Sequence, residues 1–349
     1  MKKLFLFFLT LPLFGHLEED VGQLLMTYTY PSEEQALVQD LHIGGIIYYS
    51  WANELLYEEE VRDYSAYLQS LAETPLFIAV DQEGGRVSRL QGEFLQIPSA
   101  QFFGEIDDPY FHRLLLDGMT EQMCDAGINL NFAPVVDVNN NPENIVIGDR
   151  SFGSDAKSVV SCAKQVIASH LLNGVFPCLK HFPGHGDTSV DSHFEVPVVR
   201  KSREELDRAE FYPYFALAKE VPFIMTAHIL FPELDPDYPA TFSKKILTGL
   251  LREEMGFEGV IITDSLKMKA AGEEISMGEA AVRAFQAGAD ILLIGGKLLL
   301  GEDDEEHLLE VRGVRDALVN AIQSGRISQE RLQSSLDRIA NTKATLRKE

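Results

Sequence analysis

The stretch VFPCLKHFPGHGDTSVDSH, Val175 to His193, decides how the rest of the chain is read. Its first five residues, Val175 to Leu179, form an apolar run of strand length. The remainder, Lys180 to His193, threads three histidines, a lysine and two aspartates through Pro183, Gly184 and Gly186. Glycines let a backbone fold around a ligand, and loops carry chemistry. A strand that hands polar residues to such a loop has the layout of an active site.

Outward from this stretch the chain alternates. Residues Val21 to Tyr30, Gly44 to Trp51, Leu76 to Glu83, Ile128 to Val138, Val175 to Pro183, Phe223 to Pro232, Gly259 to Leu266 and Ala289 to Gly296 are β-rich apolar runs, eight candidate strands. Between them, Glu33 to Leu41, Glu54 to Ala72, Pro109 to Ala126, Asp155 to Asn173, Arg203 to Lys219, Ser243 to Met255 and Glu274 to Ala287 carry helical spacing. Near-continuous apolar strands separated by amphipathic helices predict a parallel sheet covered on its outside. Ser202 with Glu205, and Ser32 with Gln35, fit the reciprocal capping pattern, and Gly127, Gly174 and Gly288 stand where helix ends want a left-handed residue. Past the eighth strand the acidic segment Glu302 to Glu306 leads into two further helices, Leu308 to Ser324 and Ser328 to Arg347. With no repeat, low-complexity tract or linker to mark a boundary, the expected fold is α/β: a single (β/α)8 TIM-type barrel with extra C-terminal helices, over residues 16–349.

Composition excludes several partners. The 349 residues are 45% hydrophobic and 24% charged, an ordinary globular balance. A formal charge of -24 repels phosphate backbones and anionic membrane surfaces, so nucleic acid is not an expected partner. Cys124, Cys162 and Cys178 lack paired-ligand spacing and read as buried packing residues. At the N-terminus, Lys2 and Lys3 precede an apolar run from Leu4 to Phe14, with Gly15 the one small residue at a processed end. Residues 1–15 therefore read as a signal-like leader, too short to span a bilayer as a helix. A working leader places the protein in the periplasm or cell envelope; if the run is instead the first element of the fold, the protein is cytoplasmic.

In a barrel of this type, catalytic groups gather at the C-terminal ends of the strands. Asp81 ends the third run, Asp137 the fourth, Lys180 and His181 the fifth, His228 the sixth and Asp264 the seventh. Any one of them could cap the next helix, but their joint recurrence at one end points to a site. Asp264, in GVIITDSLKM, follows an apolar strand and should face inward, shielded from water. His193 stands two residues after Asp191, so that carboxylate can orient the imidazole and favour its charged form. With an unperturbed pKa of about 6.5, histidine both donates and accepts protons near neutrality. A carboxylate nucleophile with a reversible proton donor suits acetal cleavage through a covalent glycosyl intermediate.

Five motifs now carry a resemblance: VDQEGGRV (Val80 to Val87), RSFG (Arg150 to Gly153), KHFPGHGDTSVDSH, MTAHI (Met225 to Ile229) and GVIITDSL. Together they resemble glycoside hydrolase family 3, and more narrowly its bacterial β-N-acetylglucosaminidases of peptidoglycan turnover. The similarity runs from about Val21 to the last helix. It implies that Asp264 is the nucleophile, with His193 the acid/base on a loop after the fifth strand and Asp191 its partner. It also implies that Asp81 grips sugar hydroxyls, helped by Arg89, and that Arg150, Lys180 and His181 hold the terminal sugar. No cofactor or metal is implied; the partner is a small, muropeptide-like carbohydrate, and the oligomeric state is left open. Two-domain members, mostly β-glucosidases, take a catalytic Glu from a second domain, and the single barrel expected here favours the histidine mechanism.

Lys267 departs from the pattern, which has a small residue there. The cation could act on Asp264 or an acidic substrate, although a solvent-facing placement is the simpler expectation. The expected activity is retaining exo-β-N-acetylglucosaminidase. A glycoside phosphorylase or β-glucosidase on the same barrel is the alternative, since a histidine repels an attacking phosphate less than a carboxylate does. A metal hydrolase using His181, His185, Asp187 and His193, and a non-catalytic sugar-binding protein, are weaker readings. His185 and Asp187 are expected to brace the loop, His228 to be a core or subsite residue, and Asp137 to be structural.

Overall fold

The computed structural model describes residues 16–106, 108–188, 196–268, 275–296 and 304–346. The leader, and with it the expectation of export, lies outside these residues. Among them no helix is long and apolar enough to cross a membrane.

Eight strands form the expected parallel sheet: β1 Leu25–Thr27, β2 Gly45–Tyr48, β3 Phe77–Val80, β4 Leu130–Asn131, β5 Phe176–Phe182, β6 Phe223–Thr226, β7 Val260–Ile262 and β8 Leu292–Ile294. They pair in sequence order, with β8 returning to β1 through Leu25↔Leu292. A parallel bridge, Ile262↔Ile291, joins β7 to the start of β8 and closes the ring. Every residue of these eight strands is buried, as a sheet with side chains filling its inside and helices covering its outside requires. Within the ring, Phe77 and Phe223 meet across the barrel with centroids 5.1 Å apart, beside Phe176. Each is the first residue of its strand, so this ring cluster seals the end opposite the site.

The strands are shorter than their apolar runs. Val21 and Gly22 belong to the helix Leu17–Gly22 that precedes β1, and only Leu130–Asn131 of the run Ile128 to Val138 is strand. The segment Arg203 to Lys219 is split into Arg203–Arg208, Tyr212–Leu217 and a short tight turn, because Pro213 cannot continue a helix from the residues before it. Helices Ala36–Asp40 and Lys245–Glu254 are wound with wide i→i+5 bonds, Leu41 N to Ala36 O and Met255 N to Leu250 O, each 2.9 Å.

Of the two capping boxes, Ser202 and Glu205 form theirs in full. Ser32 does not: its φ of 97° takes it out of the capping geometry, and Glu33 and Glu34 instead accept from the Tyr30 and Ser32 amides. Gly127, Gly174 and Gly288 do take positive φ. Cys178 is fully buried, whereas Cys124 and Cys162 are only half-buried against the core.

Two C-terminal helices, Asp304–Gln323 and Gln329–Lys343, complete the fold. The second is anchored by Asp290, fully buried just before β8. Its carboxylate accepts from Ser335 Oγ at 2.5 Å, Arg338 at 3.0 Å and the Ile261 amide at 2.9 Å, and also pairs with Arg252 and Arg331.

Candidate active site

At the C-terminal ends of the strands lies a cavity of about 330 Å³. Asp81, Arg89, Arg150, Lys180, His181 and Asp264 all line it. Strand ends far apart in sequence thus converge, as the recurrence of ionisable groups predicted. Asp191 and His193 lie outside the described residues.

Lys180, on β5, is buried between two carboxylates. Its Nζ reaches Asp81 at 2.7 Å and Glu83 at 2.5 Å. Arg150 closes on Glu83 with two parallel bonds of 2.8 Å, the bidentate geometry that suits a guanidinium. Two cations and two carboxylates make a locally neutral cluster, which is how charges tolerate burial. Burial would raise the Glu83 carboxyl, but Arg150 and Lys180 outweigh it and hold the group far below the usual carboxylate range. Conversely, Asp81 and Glu83 raise the Lys180 ammonium against the effect of its burial. Arg89 lines the cavity without an ion-pair partner among the described residues.

His181 is held by Asp137, whose Oδ2 accepts from Nδ1 at 2.7 Å. Arg150 Nη2 donates to the other ring nitrogen at 3.4 Å, so the tautomer is set from both sides. Asp137 also accepts the His185 amide at 2.6 Å. Burial alone would push Asp137 up, yet His181 and His185 bring it below its ordinary value. The residue read as structural is therefore the post that orients a cavity histidine.

Asp264 follows β7, half-buried, with Oδ1 accepting the Ser265 amide at 2.7 Å. Burial opposes its charge, but His181, His228, the Ser265 amide and Lys180 together hold it below the ordinary aspartate value. It is therefore ionised at neutral pH. Tyr49 stands beside it; burial, with Asp81 and Asp264 nearby, pushes the phenol well up, so it stays neutral.

The stem of the loop after β5 is braced. His185 Nδ1 bonds Thr188 at 2.8 Å, and burial brings that imidazole down to about 4. Asp187 pairs with Lys201 at 3.4 Å, and Lys201 with the buried Glu210 at 2.6 Å. Both expected braces are found, although His185 also lines the cavity. Gly186 is required by space: a Cβ there would lie 1.8 Å from Val138 O. Among the described residues no group of three or more His, Cys, Asp or Glu is arranged to hold a metal ion.

His228 resolves to a core role, bonding Thr241 at 2.8 Å and the Ser265 carbonyl at 2.9 Å from behind Asp264. Lys267 corrects its expectation. It does not face solvent but is buried in the cavity wall, 2.7 Å from Glu310 on the helix Asp304–Gln323 and near the Tyr28 ring. Wall space there is bounded by that helix, which no local pattern around Lys267 could announce. Sequence reasoning missed Glu83, Tyr49 and Trp51. For Glu83 a signal existed: it stands two residues after Asp81, the spacing that returns an extended chain to the same face.

Comparisons with known proteins give the family and the fold. The profile of the Glycosyl hydrolase family 3 N terminal domain matches residues 16–342. Beta-hexosaminidase A of Pseudoalteromonas piscicida is 34% identical over 351 residues, covering 91% of this chain and 56% of that protein. A beta-hexosaminidase of Alkalilimnicola ehrlichii is 36% identical over 270 residues, covering 75% of this chain and 76% of its own length. Among solved structures, a family 3 beta-N-acetylglucosaminidase from Paenibacillus sp. str. FPU-7 superposes with a TM-score of 0.88 at 38% identity, covering 94% of this chain and 62% of that one. The chain thus spans little more than half of the longer relatives it matches.

Proposed function

Because the chain belongs to glycosyl hydrolase family 3, we propose that it removes a terminal β-linked N-acetylglucosamine, with retention, from peptidoglycan-derived fragments. The observation that carries this reading is Asp264, held ionised in the wall of a cavity that also presents Asp81, Lys180 and Arg150. Charged groups with spare donors and acceptors suit a ring covered in hydroxyls. In the first step an Asp264 oxygen attacks the anomeric carbon while protonated His193 gives its proton to the departing oxygen. In the second, neutral His193 takes a proton from water, which attacks the same carbon and releases Asp264. Asp191 stabilises the imidazolium at each turn. Lys180, Arg150 and His181 hold the ring, and Asp137 keeps His181 in one tautomer.

The test is release of chromophore from an aryl N-acetyl-β-glucosaminide in phosphate-free buffer. The protein as it stands should be active, and Asp264→Ala should lose at least about a thousandfold in kcat/KM. An Asp264→Ala protein as active as the parent would refute the nucleophile. Turnover that appears only with phosphate, giving sugar 1-phosphate, would replace hydrolysis by phosphorolysis on the same barrel.

A further inference from the structure

Tyr48 and Tyr49 stand side by side at the end of β2 and face opposite ways, as successive residues of an extended chain do. Tyr48 points outward to the helix Glu58–Leu71, where its hydroxyl meets Ser65 Oγ at 2.9 Å. Tyr49 points inward and lines the cavity. Its backbone is tied on both sides, the amide to Asn53 Oδ1 at 3.2 Å and the carbonyl to the Ala52 and Asn53 amides at 3.0 and 2.8 Å. Its hydroxyl, unlike that of Tyr48, has no hydrogen-bond partner among the described residues. The residue is only 8% exposed. A phenol so enclosed needs a polar partner, and the space it faces is the cavity.

The tip of Tyr49 is placed by Gly295, just past β8. A Cβ on Gly295 would lie 2.9 Å from the Tyr49 hydroxyl and 3.4 Å from its ring edge, so the glycine is needed for room. The phenol thus reaches from the end of β2 past β1 to the end of β8. There it meets the turn of the nucleophile: the Gly295 carbonyl accepts from Ser265 Oγ, and the Ser265 amide holds Asp264 Oδ1 at 2.7 Å. The ring is fixed before any ligand arrives, stacked on Trp51 at 5.2 Å and set edge-on to Tyr28 at 6.1 Å. A donor held in place binds with little ordering cost.

Resting on the function proposed above, we infer that Tyr49 is a further sugar-binding residue, whose hydroxyl hydrogen-bonds an oxygen on a substituent flanking the anomeric carbon, the 2-acetamido carbonyl or the 6-hydroxyl. Asp264 must reach the anomeric carbon, so a donor beside Asp264 meets what the neighbouring carbons of the ring carry. The Lys180 and Arg150 charges are already matched by Asp81 and Glu83. The phenol adds a donor without adding charge next to the nucleophile.

Tyr49→Phe removes the hydroxyl and keeps the packed ring. On an aryl N-acetyl-β-glucosaminide it should lower kcat/KM about tenfold, the loss expected when one neutral hydrogen bond goes. The parent-to-variant ratio is then measured on the 6-deoxy and 2-deoxy analogues. On one of them it should return to about one, which identifies the substituent, because two deletions of the same contact do not add. An unchanged kcat/KM on the full substrate would overturn the contact, and so would a loss of equal size on all three. An acidic limb of the pH profile displaced upward in the variant would give the hydroxyl to Asp264 in place of the sugar. A parent protein inactive on all three, with or without phosphate, would sink the proposed function itself. The contact is then decided by titration with N-acetylglucosamine alone: weaker binding to Tyr49→Phe supports it, and equal binding overturns it.

Discussion

Glu83 carries more of the site than its neighbours in DQEGG suggest. It faces Lys180 and Arg150 at once, and replacing it by Gln leaves two buried cations with only Asp81 between them. Breaking a buried pair costs about 3–5 kcal/mol, so Glu83→Gln should lower stability by that order in denaturant at pH 7 and raise KM through the misplaced cations. The Glu83 carboxyl is depressed in the folded state. Its stabilisation is therefore complete above the unfolded pKa of about 4.3 and is lost only as pH falls through the lower folded value. The gap between parent and variant should be the same at pH 7 and pH 5; a gap that closes by pH 5 would refute the pairing. At this scale the sequence was legible where a residue's position in the cavity follows from its place at a strand end, as for Asp81, Lys180 and Asp264. It was illegible where the role is set by a partner on another element, as for Lys267 with Glu310 and Asp137 with His181.

Helix Gln329–Lys343 closes the barrel end opposite the site, and its last residue sets a pH-dependent cost. Lys343 Nζ donates to Gln23 at 2.9 Å and sits 5.1 Å from the Phe77 ring, and burial brings the ammonium down to about 7. The folded pKa thus lies below the unfolded one, of about 10.4. The cost to stability is full at and below pH 7 and declines as pH rises toward 10. Lys343→Met should stabilise the protein by about 1–3 kcal/mol at pH 7, with an advantage that shrinks by pH 10. Thermal melts at both values check this, and a variant less stable than the parent at pH 7 would overturn it. Element type was readable from apolar periodicity and from the capping pair Ser202 and Glu205. Element ends were not, because an apolar residue in a buried loop reads like one in a strand, as along Ile128 to Val138.

On the scale of the molecule, one continuous core runs from Leu17 to Ile339 and takes in both the barrel and the C-terminal helices. Asp290 locks the last helix to the strand bottoms through Arg331 and Arg338, and holds Arg252 of the helix Lys245–Glu254 as well. The whole should therefore melt as a unit, with Trp51 emission, far-UV circular dichroism and amide exchange in residues 329–343 sharing one midpoint. Earlier loss of protection in that helix would show it to be a separable addition. The sequence by itself determined the eightfold alternation, and from it the parallel barrel and the end at which the ionisable groups collect. Those follow from local rules, strand and helix periods and the short connections between them, that operate within a few residues. Only the tertiary structure decided that Lys180 shares two carboxylates, that Lys267 turns inward to Glu310, and that the Tyr49 hydroxyl lies against Gly295. Each depends on chain segments that meet only when the ring closes, and no local pattern encodes which side chain a residue will face across it.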